Sequence, residues 1–204
     1  LGSSCIYPKM APQPLKEEYL LTGSLEETNQ WYAIAKIAGV KSIQALNKYK
    51  NKKYVSLMPT NLYGQNDNYD LNNSHVLPAL IRKFHEAKIN NHSEVVLWGS
   101  GEPLREFLYV DDLAEAILNS LVNDLDSDLY NVGSGHEISI KELAIMIQQI
   151  IGHKGEIIWD KNKPNGTPRK ILDSSKLMSI GWKPKVGLFV GIKKVYKRSI
   201  FIFK

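Results

Sequence analysis

The sequence predicts an α/β fold with a largely parallel sheet in its first part, and three observations carry that prediction. Short apolar runs bounded by Gly, Pro and Asn alternate along the chain with longer amphipathic segments. At 204 residues, 43% of them hydrophobic and 23% charged, the chain can bury a sizeable core as one large domain or one and a half small ones. No internal repeat or low-complexity linker interrupts the pattern.

Each element follows from local composition. Leu1 to Tyr7 reads as the end of a buried strand running into a loop at Pro8, and Lys9 to Asn29 is polar and rich in turn residues. Trp31 to Lys50 is a helix, with Ala33, Ala35, Ala38 and Ala45 among Ile34, Ile37, Val40, Ile43 and Leu46. Tyr54 to Leu62 reads as one buried strand, after which a polar loop runs to Ser74 and Val76 to Lys88 forms a second amphipathic helix. Val95 to Trp98 and Glu106 to Val110 are short strands joined through Gly99-Ser-Gly-Glu-Pro103. Asp111 or Asp112 can cap the helix that runs to about Leu121. Leu129 to Val132 is a strand closed by Gly133-Ser-Gly135, and Ser139-Ile-Lys-Glu142 fits a capping box opening a helix that ends before Gly152. Glu156 to Trp159 is a strand; Ser174 to Ser179 and Leu188 to Ile202 are closing helices.

Charge and cysteine usage narrow the function classes. The net charge is +5, with the lysines spread among clusters at 48–53, 161–170 and 193–204. This pattern fits a solvated lysine-rich surface, or a few cations facing an anionic small molecule, and lacks the concentrated basic element of a nucleic-acid binder. No apolar run reaches the length of a membrane span, no metal-ligand spacing is present, and one cysteine fits a reducing cytoplasm. The start Leu-Gly-Ser-Ser-Cys has neither Met nor a basic leader, so the expectation is a chain entered in its middle.

Tyr32 and Lys36 stand four apart on the first helix and therefore share a face. An ammonium beside a phenol in a partly desolvated cleft favours the phenolate, which would make Tyr32 a usable acid and base. Such a pair also arises by chance, so its companions matter. Ser3-Ser4-Cys5 lies at a strand end, where a hydroxyl of an α/β sheet points into the ligand cleft. Ser, Tyr and Lys so arranged can share a carbonyl oxygen and pass it a proton. Cys5 alone could be a small buried hydrophobe, His75 could merely cap the helix from Val76, and Trp98 could be a core or turn aromatic.

The blocks Leu1-Gly-Ser-Ser-Cys-Ile-Tyr-Pro-Lys9, Tyr32-Ala-Ile-Ala-Lys-Ile-Ala-Gly39, Met58-Pro-Thr-Asn-Leu-Tyr-Gly64, Asn73-Ser-His-Val-Leu-Pro-Ala-Leu80, Trp98-Gly-Ser-Gly-Glu-Pro-Leu-Arg-Glu-Phe107 and Gly166-Thr-Pro-Arg-Lys170 occur in order. From Leu1 to about Pro184 the chain resembles the GDP-L-fucose synthase family, a branch of the extended short-chain dehydrogenase/reductases. The resemblance implies the C-terminal part of a Rossmann-like NADP-binding domain, residues 1–75, and a smaller α/β substrate-binding domain, residues 76–204, with 106–135 returning to the Rossmann sheet. It implies C3/C5 epimerisation of GDP-4-keto-6-deoxy-D-mannose and NADPH-dependent reduction of its C4 ketone, giving GDP-L-fucose. Ser3, Tyr32 and Lys36 would hold and protonate the C4 oxygen. Cys5 and His75 would be the extra acid/base pair, since inverting a carbon beside a ketone needs a base on one side and a proton donor on the other. Leu1, Gly2, Ser3, Ser4, Lys36, Pro59, Thr60, Asn61, Leu62 and His75 would contact NADP(H). Lys83, Trp98, Arg105 and Asp173 would bind the GDP-sugar; Lys83 stands where the family more often has Arg, which keeps the charge and gives up paired hydrogen bonds. A homodimer packed through the helix bearing Tyr32 is also implied.

The family opens with a strand–Gly-rich loop–helix for the cofactor pyrophosphate, and no Gly-x-x-Gly-x-x-Gly follows a strand here. Gly99-Ser-Gly101 and Gly133-Ser-Gly135 read as turns. The expectation is an N-terminally truncated chain with poor NADPH binding and little turnover, ending in a tail more apolar than the family's. Two rival readings remain: another nucleotide-sugar epimerase or dehydratase of the superfamily, and a non-catalytic remnant.

Overall fold

The computed structural model describes residues 1–201 and 203. The chain forms two compact units, unit 1 from residues 1–62, 106–137 and 170–185, and unit 2 from residues 63–105, 138–169 and 186–204.

Unit 1 is layered around two parallel strands, β1 (Ser56–Pro59) and β5 (Leu129–Val132), in register Ser56 to Leu129 through Pro59 to Val132. Every residue of both strands is buried, as expected of parallel strands covered on both faces. Alternation sorts their side chains. Met58 and Leu129 pack with Ala33, Ile37 and Val40 of helix α1 (Gln30–Lys50). Leu57, Tyr130 and Val132 pack with Leu113 and Ala116 of α3 (Val110–Val122) and with Trp182. Ala33, Ile37 and Val40 recur at helical spacing, so only one stripe of α1 is buried.

Unit 2 contains the parallel pair β3 (Glu94–Trp98) and β7 (Glu156–Asp160). It also contains helices α2 (Val76–Ile89), α4 (Ile140–Ile151) and α6 (Leu188–Ser199). Val95 and Leu97 point into the core while Val96 and Trp98 point out, so β3 has one wet face. The capping box at Ser139 is present: its hydroxyl accepts the Glu142 N–H at 3.1 Å, and Glu142 accepts the Ser139 N–H at 2.9 Å. Gly152 closes α4 in the left-handed region. Strands β2 (Asn61–Tyr63), β4 (Leu104–Tyr109) and β6 (Glu137–Ser139) form a further sheet in that order, with β8 (Arg169–Lys170) on β4. A short helix, α5 (Ser175–Ser179), completes the elements.

Several expectations need correction. Leu1 to Tyr7 is not a strand end. Gly2 makes one strand-like bond to the Leu57 carbonyl (2.8 Å), and the chain then turns into a 3-10 helix, Ser4–Ile6, whose Cys5 N–H is capped by the Ser3 hydroxyl. The expected strand from Tyr54 to Leu62 is two strands broken at Thr60. The Thr60 N–H still donates to the Val132 carbonyl of β5 at 3.0 Å, and from Asn61 onward the chain pairs with β4. Neither Asp111 nor Asp112 is the cap of α3; Tyr109 holds that position and both acids lie in the first turn, where the helix dipole favours them. The last helix stops at Ser199, and Ile202 and Lys204 lie outside the described residues. Among the described residues, no helix is long and apolar enough to cross a membrane.

Candidate active site

In unit 1 the N-terminal turn carries Ser3 and Cys5, and Lys36 of α1 reaches Leu1 ahead of it. The Lys36 ammonium donates to the Leu1 carbonyl at 3.1 Å and stands 5.8 Å from the Tyr32 ring centre. Tyr32 and Lys36 share one face of α1 as their spacing requires. Tyr32 is 46% exposed, so unit 1 does not by itself provide the desolvated surroundings expected for its phenol. Ser3 and Cys5 are both half-buried, joined by the bond from the Cys5 N–H to the Ser3 hydroxyl. The Cys5 carbonyl accepts from Asn29, one residue ahead of α1 (3.2 Å), and the Lys170 ammonium lies 3.5 Å from the Cys5 sulfur. Gly2 and Ser4 are buried beside this turn, and Leu1 is exposed.

Pro59 and Thr60 are buried at the end of β1, with Asn61 and Leu62 half-buried beyond them. Thr60 and Asn61 both donate their side chains to the Glu106 carbonyl, at 3.3 and 2.8 Å. Asp173 also belongs to unit 1; its carboxylate accepts the Ser175 N–H at 3.0 Å, and the Ser175 hydrogen bonds hold it below the usual carboxylate range.

Unit 2 brings three of the other predicted residues together. Trp98 is 65% exposed and helps line a cleft of about 210 Å³ with Val76, Gly101, Pro103, Arg105, Ile140, Pro164 and Asn165. The Lys83 ammonium lies 5.9 Å from the Trp98 ring and donates to the Val96 carbonyl at 3.2 Å; burial lowers its pKa from the ordinary lysine value. Arg105 donates to the Leu104 carbonyl at 2.8 Å. His75 is exposed at the N-cap position of α2 but makes no side-chain capping bond, so capping does not account for its imidazole.

Three polar residues escaped the sequence reading. Asn165 lines the cleft, and its carbonyl oxygen accepts the Ser100 N–H at 2.7 Å, fixing the turn between Trp98 and Arg105. Gly99 in that turn has φ +79°, and a Cβ there would sit 2.4 Å from the Asn165 oxygen. Lys170 was visible as the end of the Gly-Thr-Pro-Arg-Lys block without a role. Glu106 is fully buried; its carboxylate accepts from Gly135 N–H at 2.7 Å and Leu172 N–H at 3.0 Å. Burial raises its pKa against the lowering effect of these bonds. The available signal was a charge adjoining the apolar run Phe107-Leu-Tyr-Val110.

The chain as a whole is similar to known proteins. The sequence profile of the NAD dependent epimerase/dehydratase family matches residues 1–133. GDP-L-fucose synthase 1 of Arabidopsis thaliana is 58% identical over 96% of this chain, which covers 61% of that protein. GDP-L-fucose synthase of Sinorhizobium fredii is 55% identical over 98% of the chain, covering 64% of that protein. A solved structure of a GDP-L-fucose synthetase from Naegleria fowleri bound to NADP superposes with a TM-score of 0.88 at 28% identity, over 99% of this chain and 65% of that one. The chain thus spans a little over three fifths of the length of these relatives. With its parallel strands between helices and the profile match across both strands of unit 1, the chain belongs to the NAD dependent epimerase/dehydratase family.

Proposed function

We propose that the protein is an NADPH-dependent epimerase–reductase that inverts C3 and C5 of GDP-4-keto-6-deoxy-D-mannose and reduces its C4 ketone to give GDP-L-fucose. The observation that carries this reading is the gathering of Ser3, Cys5 and Lys36 at one turn of unit 1, with Tyr32 on the same helix face as Lys36. A simple carbonyl reductase needs the hydroxyl, phenol and ammonium; the thiol is the extra group that carbon inversion uses. The names of the two curated relatives support the same reaction.

The cofactor contacts are assigned to residues of unit 1 apart from His75, and the GDP-sugar contacts to residues of unit 2 apart from Asp173. Lys36 fits the cofactor: of its three N–H donors, the Leu1 carbonyl takes one, leaving others for ribose hydroxyls. Leu1 to Ser4, Pro59 to Leu62 and His75 are the further cofactor contacts carried by the family resemblance. When bound, the reduced nicotinamide supplies the hydride for C4. Ser3 and Tyr32 hold the C4 oxygen, and Tyr32 gives it a proton. Cys5 and His75 exchange protons with the carbons beside the ketone, whose acidity comes from charge spread onto that oxygen. Lys83 and Arg105 pair with the diphosphate, Trp98 gives an apolar wall, and Asp173 accepts from a hydroxyl or amide. The exposed Trp31 and Ile34 on α1 support a homodimer through that helix, and the single cysteine supports a reducing cytoplasm.

The test is solvent-deuterium incorporation at C3 and C5, read beside reduction at C4. Cys5→Ser should slow incorporation at least about a hundredfold, the scale of losing a positioned acid/base group, while carbonyl reduction stays measurable. Equal loss of both steps counts against the assignment and favours a 4-epimerase or dehydratase of the same family; no incorporation by the wild-type protein favours a binding role without turnover.

A further inference from the structure

We propose that Lys170 is the positioning residue for the Cys5 thiol, donating a hydrogen bond to the sulfur and supplying the positive charge that the sulfur faces when its proton is away. The inference rests on the reading of Cys5 as a proton-transfer group. The Lys170 Nζ lies 3.5 Å from the Cys5 Sγ although 165 positions separate the two in sequence.

Both partners are held by other contacts. Cys5 sits in a 3-10 turn, its N–H bonded to the Ser3 hydroxyl and its carbonyl to Asn29, each at 3.2 Å. Lys170 sits in β8, paired to β4. The next two residues are tied down as well: Ile171 N–H donates to the Gln13 side chain at 3.0 Å, and Leu172 N–H to the Glu106 carboxylate at 3.0 Å. Leu172 also bridges to Leu15. The lysine stem therefore reaches the sulfur from an anchored backbone.

The chemistry is electrostatic and balances simply. When Cys5 gives its proton to carbon, the sulfur is left anionic; when it takes one back, it is neutral again. Lys170 keeps its own protons throughout, and no bond to it forms or breaks except the hydrogen bond to sulfur. An ammonium at this distance offsets the charge at the moment it develops.

Because Cys5 is the chain's single cysteine, alkylation reports on it alone. The measurement is the ratio of rate constants for iodoacetate, an anion, and iodoacetamide, its neutral analogue of similar size. Exposure and sulfur nucleophilicity affect both reagents and cancel, whereas a nearby positive charge favours the anion. Lys170→Met should lower the ratio about fourfold, the effect of one unit charge about 5 Å away in a water-like medium. Lys170→Arg should keep the ratio within about twofold of wild type, since the charge is retained. An unchanged ratio in folded Lys170→Met overturns the proposal. Should that variant unfold, wild type decides: its ratio should exceed that of a short cysteine peptide at about 0.05 M salt and fall toward it at about 1 M. Equality with the peptide at low salt overturns the proposal. No sugar or cofactor takes part, so a charge-dependent ratio without deuterium incorporation would keep the Lys170–Cys5 pair and remove the proton-transfer reading.

Discussion

The carboxylate of Glu106, on β4, accepts the backbone N–H of Gly135 at 2.7 Å in a place with no solvent exposure. The same carboxylate takes the Leu172 N–H, while the Glu106 carbonyl takes the side chains of Thr60 and Asn61. One residue thus ties the end of β1, the turn after β5 and the segment leading to Asp173. Its donors are neutral, the N–H groups of Gly135 and Leu172 with the Ser134 hydroxyl at 3.5 Å, so their orientation, more than a counter-charge, holds the carboxylate in place.

This arrangement fixes the sign of a pH effect. Burial raises the Glu106 pKa, so the folded state binds its proton at a higher pH than the unfolded chain does. The contribution is fully present below the ordinary glutamate value and is lost as pH rises through the raised one. Wild type should therefore gain stability relative to Glu106→Gln as pH falls from neutral toward that ordinary value. Urea midpoints of the two proteins across that range check it; a wild-type midpoint that stays level with or falls relative to that of Glu106→Gln as pH drops would contradict the assignment.

Gly133 gives a second check on the same carboxylate. A Cβ at this position would lie 2.4 Å from the Glu106 carboxylate oxygen, so Gly133→Ala must displace a buried anion from its donors. The expected cost is about 2–4 kcal/mol in wild type. In Glu106→Ala, itself destabilised by leaving the Gly135 and Leu172 N–H groups unpaired, the added cost should fall below about 1 kcal/mol. A double-mutant cycle by chemical denaturation reads the coupling directly.

The capping box should behave as a local device. Ser139→Ala removes the acceptor of the Glu142 N–H and should cost about 1 kcal/mol. Glu142→Gln should cost less, because an amide oxygen can still accept the Ser139 N–H. Denaturation midpoints with unchanged slopes are the expected result.

For the cleft of unit 2, GDP titration is the direct measurement. Lys83→Met and Arg105→Met should each weaken binding about tenfold, equivalent to ~1.4 kcal/mol, and flatten its salt dependence. Asn165→Ala should weaken it by releasing the Ser100 turn, with the salt dependence kept.

What was legible in the sequence was local. The helix Gln30–Lys50 and the Ser139 box are written in spacings of three and four, and both lie close to where those spacings place them. The joining of Lys83, Trp98 and Arg105 was reached through family motifs, since Lys83 and Arg105 are seated by bonds to backbone carbonyls and Trp98 only lines the cleft beside them. Glu106 was not legible because its donors lie at positions 135 and 172, and no short window contains them. The strand break at Thr60 was not legible because it is a change of partner, from Val132 at Thr60 to β4 beyond it, and both partners are distant in sequence. Asn165, between Pro164 and Gly166, has the local sequence of an ordinary turn residue, and its bond to Ser100 spans 65 positions.

Unit 1 is made of three stretches of chain, and its last, 170–185, supplies Leu172 to the cluster around Met58 and Trp182 to the cluster around Leu57. During synthesis the ribosome therefore adds residues 63–169 before those two side chains can reach their places. At about 5–20 residues per second that wait lasts roughly 5–20 s, with the apolar sides of α1 and β1 still lacking late partners. The unit holding Cys5 and Lys36 is thus begun early and finished late, and its yield in a cell depends on keeping the nascent chain from premature association through that interval.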